Sequence, residues 1–74
     1  MDPAPRFNLR KQIRQQICDL IEEQLKAGHY HYQMPTEVEL AETLQVSRAT
    51  VREVLSELAG EGWILRRHGQ GTFI

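Results

Sequence analysis

Polar and charged side chains cluster at the start of the segment SRATVREVLSELAGEGW, residues 47–63. In a helix, this segment would place its apolar residues on one stripe and Arg48 and Arg52 one turn apart on another side. Arginine can form a forked pair of hydrogen bonds with phosphate or guanine, and the free amides of a helix start attract an anion. The candidate residues for such contacts are Ser47, Arg48, Ala49, Thr50 and Arg52.

Each residue of this cluster also has an ordinary structural explanation. Ser47 is a good N-cap, and that role alone would account for a serine there. Arg52 and Glu53 could be ordinary solvated charges, and Arg48 could pair with a nearby acid. The cluster by itself therefore leaves both explanations open.

A second cluster lies in the segment RRHGQGTFI, residues 66–74. Gly69 and Gly71 bracket Gln70, and glycine both accepts a positive φ and lets the backbone approach another molecule. The basic residues beside this tip are Arg66, Arg67 and His68. The pattern predicts a basic finger next to the third helix, with a purely structural hairpin as the alternative.

Three helices and two strands are predicted to position these clusters. The elements are a helix after the N-cap Asn8 that stops at Gly28, a helix that begins with the capping box Thr36–Glu39, a helix capped by Ser47 that ends near Gly60 or Gly62, and strands at Trp63–Arg67 and Thr72–Ile74. We expect Tyr30 and Tyr32 to pack on the first helix and Trp63 to pack beneath the hairpin.

The second and third helices have the spacing of a helix-turn-helix, which presents the start of its second helix outward. Ala41 is small enough for a close approach of the two helices, and Val51 enters the same junction ten residues later. Gln45 lies in the turn, where glycine is common, and we expect it to be left-handed at some steric cost. The predicted fold class is mainly α with a small β-hairpin, built from three helices and a two-stranded wing.

The composition fits one small globular domain without disulfides. The chain has 74 residues, of which 41% are hydrophobic and 26% charged, and its one cysteine is Cys18. No apolar stretch has the length of a signal peptide core or a membrane helix, so we expect a soluble, cytoplasmic protein. Net charge is −1, but bases concentrate in 6–14 and 48–67 and acids in 18–46. Folding could gather the basic ends into one patch, or leave a mixed, solvated surface.

The stretch from Met34 to Ile74 closely resembles the DNA-binding domain of GntR-type bacterial transcription regulators. The segments PTE, ELA, VSRATVRE, EGW and RRHGQGTFI follow the family pattern in order. With a looser match of the first helix, the resemblance spans roughly residues 9–74, and the wing is most similar to the HutC-type branch. Two features depart from the pattern: Val38 stands where many relatives have a DNA-holding arginine, and the loop 29–34 is short and lacks the customary glycine.

The resemblance implies a winged helix-turn-helix domain that binds a palindromic operator in double-stranded DNA as a dimer. The recognition helix, 47–59, would enter the major groove and the wing tip, 68–71, would lie near the minor groove. His68, Gly69 and Gln70 would then join the five helix residues as DNA-binding residues.

The resemblance also implies that this chain is the DNA-binding part of a longer regulator whose domains have separate functions. Residues 1–7 would be a flexible arm and residues 8–74 the DNA-binding domain. We expect the family's C-terminal domain, which binds a small effector and drives homodimer formation, to be absent from this chain, so that the domain alone could be monomeric. The complete regulator would be a metabolite-responsive repressor.

Other classes of function fit the sequence less well. A winged helix used only for protein contact would need an apolar surface beyond the core stripe, and an RNA-binding sheet would need stacking aromatic residues. The candidate metal ligands, Cys18, His29, His31 and His68, lack the spacing of a zinc site. No catalytic triad or nucleotide-binding loop is suggested. We therefore expect no enzyme activity, no metal and no cofactor.

Overall fold

The computed structural model describes residues 9–74, which form three helices followed by a small sheet. The elements are α1 (Leu9–Lys26), α2 (Glu37–Leu44), α3 (Arg48–Gly60), β1 (Leu65–Arg67) and β2 (Gly71–Phe73). This order confirms the predicted winged helix-turn-helix. The predicted N-cap Asn8 and the predicted arm, 1–7, lie outside the described residues.

Local hydrogen bonds set the ends of the helices. Thr36 caps α2 with the predicted capping box: its hydroxyl accepts from the Glu39 amide, and its own amide donates to the Glu39 carboxylate. Ser47 caps α3 by accepting from the Thr50 amide. Beyond α1, Gly28 has a φ of 86°, the left-handed stop that its glycine predicted.

The turn between α2 and α3 contains the one non-glycine residue with a positive φ in the described part of the chain. Gln45 has φ 59° and ψ 48°, which confirms the predicted left-handed conformation. The amides of Gln45 and Val46 both donate to the carbonyl of Ala41. This turn lets α3 pack across α2, with Ala41 and Val51 both buried, and leaves the start of α3 at the surface.

The two strands pair antiparallel, with Leu65 opposite Phe73 and Arg67 opposite Gly71. The predicted bounds were wrong: β1 begins two residues after Trp63, and β2 begins at Gly71 rather than Thr72. The reason at the first strand is that Trp63 closes the turn after α3, with its amide donating to the Leu58 carbonyl at 3.0 Å.

The loop between α1 and α2 adds an edge to this sheet. Gln33 forms an antiparallel β-bridge with Phe73. On either side of that bridge, the Met34 amide donates to the Thr72 carbonyl at 2.7 Å and the Ile74 amide donates to the Tyr32 carbonyl at 3.0 Å. The sequence assigned no role to this loop, yet it joins the wing to the residues that begin α2.

The core lies between the three helices and is wholly apolar among the described residues. Its largest fully buried side chains are Ile17, Ile21, Val51, Val54, Leu55 and Leu58. Trp63 and Tyr32 are half-buried and pack against this cluster, so both take part in the core. The prediction for Tyr30 was wrong, since 64% of it is exposed. Tyr30 lies within the turn that is closed by the hydrogen bond from the Tyr32 amide to the His29 carbonyl, and its side chain remains outside the core.

Ion pairs join two arginines of α1 to acids in α3 and just beyond its end. Arg10 contacts Glu53 at 3.1 Å and Glu57 at 3.5 Å, while Arg14 contacts Glu57 at 3.7 Å and Glu61 at 2.5 Å. The hydrogen bond from Arg14 lowers the pKa of Glu61. Arg10 and Arg14 are therefore paired with two acids of α3 and with Glu61 just beyond its end, which offsets the positive charge of these two arginines.

Candidate nucleic-acid interface

The start of α3 is an exposed, polar surface. Ser47, Arg48 and Ala49 are exposed, and Thr50 is half-buried. The Ser47 hydroxyl caps the helix and lies 2.9 Å from the Thr50 hydroxyl, so the two hydroxyls form one hydrogen-bonded pair. Both predictions for Ser47 are thus compatible: it caps the helix, and its oxygen remains at the surface where a phosphate can reach it.

Arg48 and Arg52 lie on the same helix but differ in their surroundings. The Arg48 side chain has no hydrogen bond or ion pair to any described residue. Arg52, whose side chain is 62% exposed, donates through Nε to Glu37 at 3.2 Å. The ordinary structural explanation of these two residues, in which Arg48 pairs with an acid and Arg52 is solvated, is therefore the reverse of what the structure contains. The difference arises because Glu37 begins α2 and approaches α3 one turn beyond its start.

Glu37 joins the helix-turn-helix to the wing. Its carboxylate accepts from Arg52 of α3 on one oxygen and from Arg66 of β1 on the other, at 2.5 Å for the second contact. Arg66 also donates to the Ser56 hydroxyl at 3.2 Å. Partial burial raises the pKa of Glu37, but the hydrogen bonds from Arg66 and Arg52 outweigh burial and hold it below its ordinary value. One ionised acid therefore fixes two arginines from different elements.

The wing tip projects as a turn with two glycines in unusual conformations. Gly69 has φ 76° and Gly71 has φ 122°, and the turn is closed by a hydrogen bond from the Gln70 amide to the Arg67 carbonyl. His68, Gly69 and Gln70 are exposed, which leaves all three accessible to another molecule. The tip lines an open cleft of about 620 Å³ that extends to Gln33 and Thr36 beside the start of α2.

Three further residues belong to this surface, although the sequence did not select them as site residues. Arg67 is exposed next to the tip, and its side chain has no partner among the described residues. Glu37 orients Arg52 and Arg66, and Gln33 contacts the tip. The basic run RRH pointed to Arg67, but nothing in the local pattern pointed to Glu37 or Gln33. Val38 is 44% exposed beside Glu37 and offers no hydrogen bond there.

Residues 9–74 contain neither a metal-holding cluster nor a membrane-spanning helix. No group of three or more His, Cys, Asp and Glu side chains lies close enough to hold a metal ion in this part of the chain. No helix in it combines the length and apolar character needed to cross a membrane. Burial raises the pKa of Cys18, which disfavours the reactive thiolate.

Comparison with known sequences identifies the family. The profile of the bacterial regulatory proteins of the gntR family matches residues 10–74. The chain is 42% identical over 64 residues to the arabinose metabolism transcriptional repressor of Geobacillus stearothermophilus, a match that covers 85% of this chain and 17% of that protein. It is 41% identical over 74 residues to the HTH-type transcriptional repressor NagR of Bacillus subtilis, covering 92% and 30%. The chain thus spans less than a third of these relatives.

Solved structures agree with this assignment. A crystal structure of the AraR DNA-binding domain in complex with operator ORX1 superposes with a TM-score of 0.74 at 25% identity, covering all of this chain and 92% of that one. The N-terminal domain of AraR in complex with mutant ORR3 gives a TM-score of 0.75 at 26% identity, covering 96% and 99%. The chain belongs to the gntR family of bacterial regulatory proteins, and its described residues form the family's DNA-binding winged helix-turn-helix domain.

Proposed function

We propose that this domain reads a specific sequence in double-stranded DNA, with the start of α3 in the major groove and the wing tip at the minor groove. The observation that carries the proposal is the joint exposure of the α3 start and the wing tip on elements that Glu37 ties together. The residues proposed to contact DNA are Ser47, Arg48, Ala49, Thr50, Arg52, His68, Gly69 and Gln70, to which we add Arg67.

The major-groove residues have separate roles in this proposal. Arg48 has no partner among residues 9–74, so its guanidinium is available for a forked contact with guanine. Arg52 donates its Nε to Glu37, which leaves its terminal nitrogens for a base or a phosphate. Ala49 is exposed and small enough to contact a thymine methyl group. The Ser47 and Thr50 hydroxyls and the α3 amides bind phosphate.

We extend the proposal to the longer protein of which such a domain is a part. Two relatives of this chain are the arabinose metabolism transcriptional repressor and the transcriptional repressor NagR, and the chain spans 17% and 30% of their respective lengths. A repressor of this kind acts in the bacterial cytoplasm, binds a palindromic operator as a homodimer, and responds to a small effector held by its second domain. A lone domain engages a single half-site and forgoes the gain in apparent affinity that linked half-sites provide.

Selection of bound sequences from random double-stranded DNA tests the proposal. The 74-residue chain is used at low salt, because phosphate contacts weaken steeply as salt rises. We expect an enriched half-site that binds at least tenfold more tightly than a scrambled duplex of equal composition. Enrichment of no sequence, with equal affinity for both duplexes, would contradict sequence-specific reading. A longer protein that carries this domain should bind a duplicated, inverted half-site far more tightly than the isolated domain does.

A further inference from the structure

A side-chain hydrogen bond links the wing tip, residues 68–71, to the loop between α1 and α2. Within the described residues, a single hydrogen bond joins residues 68–71 to a group outside the hairpin: the Gln33 side-chain nitrogen Nε2 donates to the Gln70 carbonyl at 3.1 Å. The remaining hydrogen bonds of the tip are internal, between β1 and β2 and across the turn. The strands of the hairpin have their own contacts with the helices and the loop, so this amide is the one direct hydrogen bond from outside the hairpin to the described tip residues.

The Gln33 side chain also occupies the space above Gly71. A Cβ atom built on Gly71 would lie 2.6 Å from Gln33 Nε2 and 3.6 Å from its Cδ. Gln33 bridges to Phe73, so its side chain reaches diagonally along β2 to the residue two positions away, a distance that long side chains span. The absence of a side chain at Gly71 is thus what allows Gln33 to lie against the tip backbone.

The backbone next to Gln33 is anchored by its neighbour Met34. Its neighbour Met34 is buried at 3% exposure and donates to the Thr72 carbonyl. Two residues later, Thr36 caps α2, which packs on α3. Gln33 is therefore connected to the helix-turn-helix through Met34 and Thr36, and to the wing tip through its hydrogen bond with the Gln70 carbonyl.

We propose that Gln33 is a positioning residue for DNA recognition: its amide holds the wing tip at the distance from α3 that lets both reach adjacent grooves of one duplex. The inference rests on the proposed function, in which the tip lies at the minor groove. Gln33 itself contacts no base in this proposal. It fixes the Gln70 backbone, and the tip residues make the contacts.

The substitution Gln33→Met tests this role because it keeps the length of the side chain and removes the N–H donor. The matched control is Gln16→Met, which makes the same replacement at an exposed position of α1 far along the chain from the wing. Both variants are titrated with the duplex that wild type selects. A lost neutral hydrogen bond should lower the affinity of Gln33→Met by about two- to tenfold, and Gln16→Met should bind like wild type.

Footprints on the same duplex separate a positioning role from general damage. Hydroxyl radicals report protection in the minor groove, and methylation of guanine N7 reports protection in the major groove. For Gln33→Met we expect weaker minor-groove protection at the wing and unchanged guanine protection at α3. Unaltered affinity and footprints would overturn the inference, as would equal loss in both grooves, because that pattern indicates a structural defect.

A double-mutant cycle gives a second, independent readout. If Gln33 acts through the tip, its effect should be smaller in a His68→Ala background, since groups that act as one unit are not additive. Its effect should add fully to that of Arg48→Ala on α3. Full additivity with both variants would overturn the inference. Failure of wild-type protein to prefer any sequence would instead overturn the proposed function, and the role of Gln33 with it.

Discussion

Replacing Glu37 with glutamine removes the charge that holds Arg52 and Arg66 while it keeps the shape of the side chain. Glu37 is 23% exposed and accepts from both arginines, so the change breaks two ion pairs at once. A glutamine carbonyl can still accept from one arginine, but it cannot satisfy both. We therefore expect a loss of folding stability and a looser connection between the wing and α3.

The magnitude of the stability loss follows from the exposure of the groups. Exposed ion pairs contribute about 0.2–1 kcal/mol each, and Arg52, at 62% exposure, belongs at the low end of this range because solvent screens it. An acid in the first turn of α2 adds about 0.3–1 kcal/mol through the helix dipole. The total loss should be roughly 1 kcal/mol, which corresponds to a fall in Tm of about 4–8 °C for a domain of this size.

The dependence on pH provides the sharper assay. The pKa of Glu37 is lowered in the folded state, so its contribution is fully present above the unfolded carboxyl value of about 4.3. It is lost as the pH falls through the lower folded value. In denaturant titrations, the difference in free energy of unfolding between wild type and Glu37→Gln should thus be constant between pH 5 and 7. It should vanish in acid and become smaller in 1 M salt.

The control is Glu42→Gln, which removes an exposed acid of the same helix that has no partner among the described residues. This variant should change the free energy of unfolding by less than about 0.5 kcal/mol at any pH above 5. Equal effects of the two substitutions would refute the reasoning, because the bridge from Glu37 to both arginines would then contribute nothing.

The remaining predictions concern the site and the core. Arg48→Ala should cost about 1–3 kcal/mol on the selected half-site, measured by titration, and should relax preference at one base pair; unchanged preference would show that α3 is oriented differently. Gly71→Ala should weaken DNA binding more than Gly69→Ala, because both have positive φ but only the added Cβ at Gly71 meets Gln33. Circular dichroism should show helix content retained in both; equal binding by both variants would count against the contact. Leu58→Ala, in a fully buried position, should lower the free energy of unfolding by about 2–5 kcal/mol in denaturant titrations, and a loss below 1 kcal/mol would contradict its core role.

Local features of this fold could be predicted from the sequence because their causes lie within a few residues. The capping box at Thr36, the cap at Ser47 and the left-handed Gln45 each follow from hydrogen bonds or sterics inside one turn of chain. The basic, glycine-containing hairpin was recognisable for the same reason. The bounds of its strands were not, because the end of α3 and the loop edge compete for those residues.

Contacts between distant segments could not be predicted in the same way. Glu37 meets Arg66 across 29 residues and Gln33 meets Gln70 across 37, and neither pair has a local spacing that marks it. Arg10 likewise pairs with Glu53 across 43 residues, a contact that the charge distribution along the chain did not indicate. Which arginines remain available for DNA is thus decided by tertiary packing.

Placement of the α3 start in the major groove is the central claim, and base analogues on the selected half-site test it most directly. Replacing guanine by 7-deazaguanine removes only the N7 acceptor, and replacing thymine by uracil removes only the methyl group, both on the major-groove edge. We expect at least one guanine at which 7-deazaguanine weakens binding by wild type by about 1–3 kcal/mol but leaves binding by Arg48→Ala or Arg52→Ala unaffected. Wild-type binding that is insensitive to both analogues at every position would contradict it.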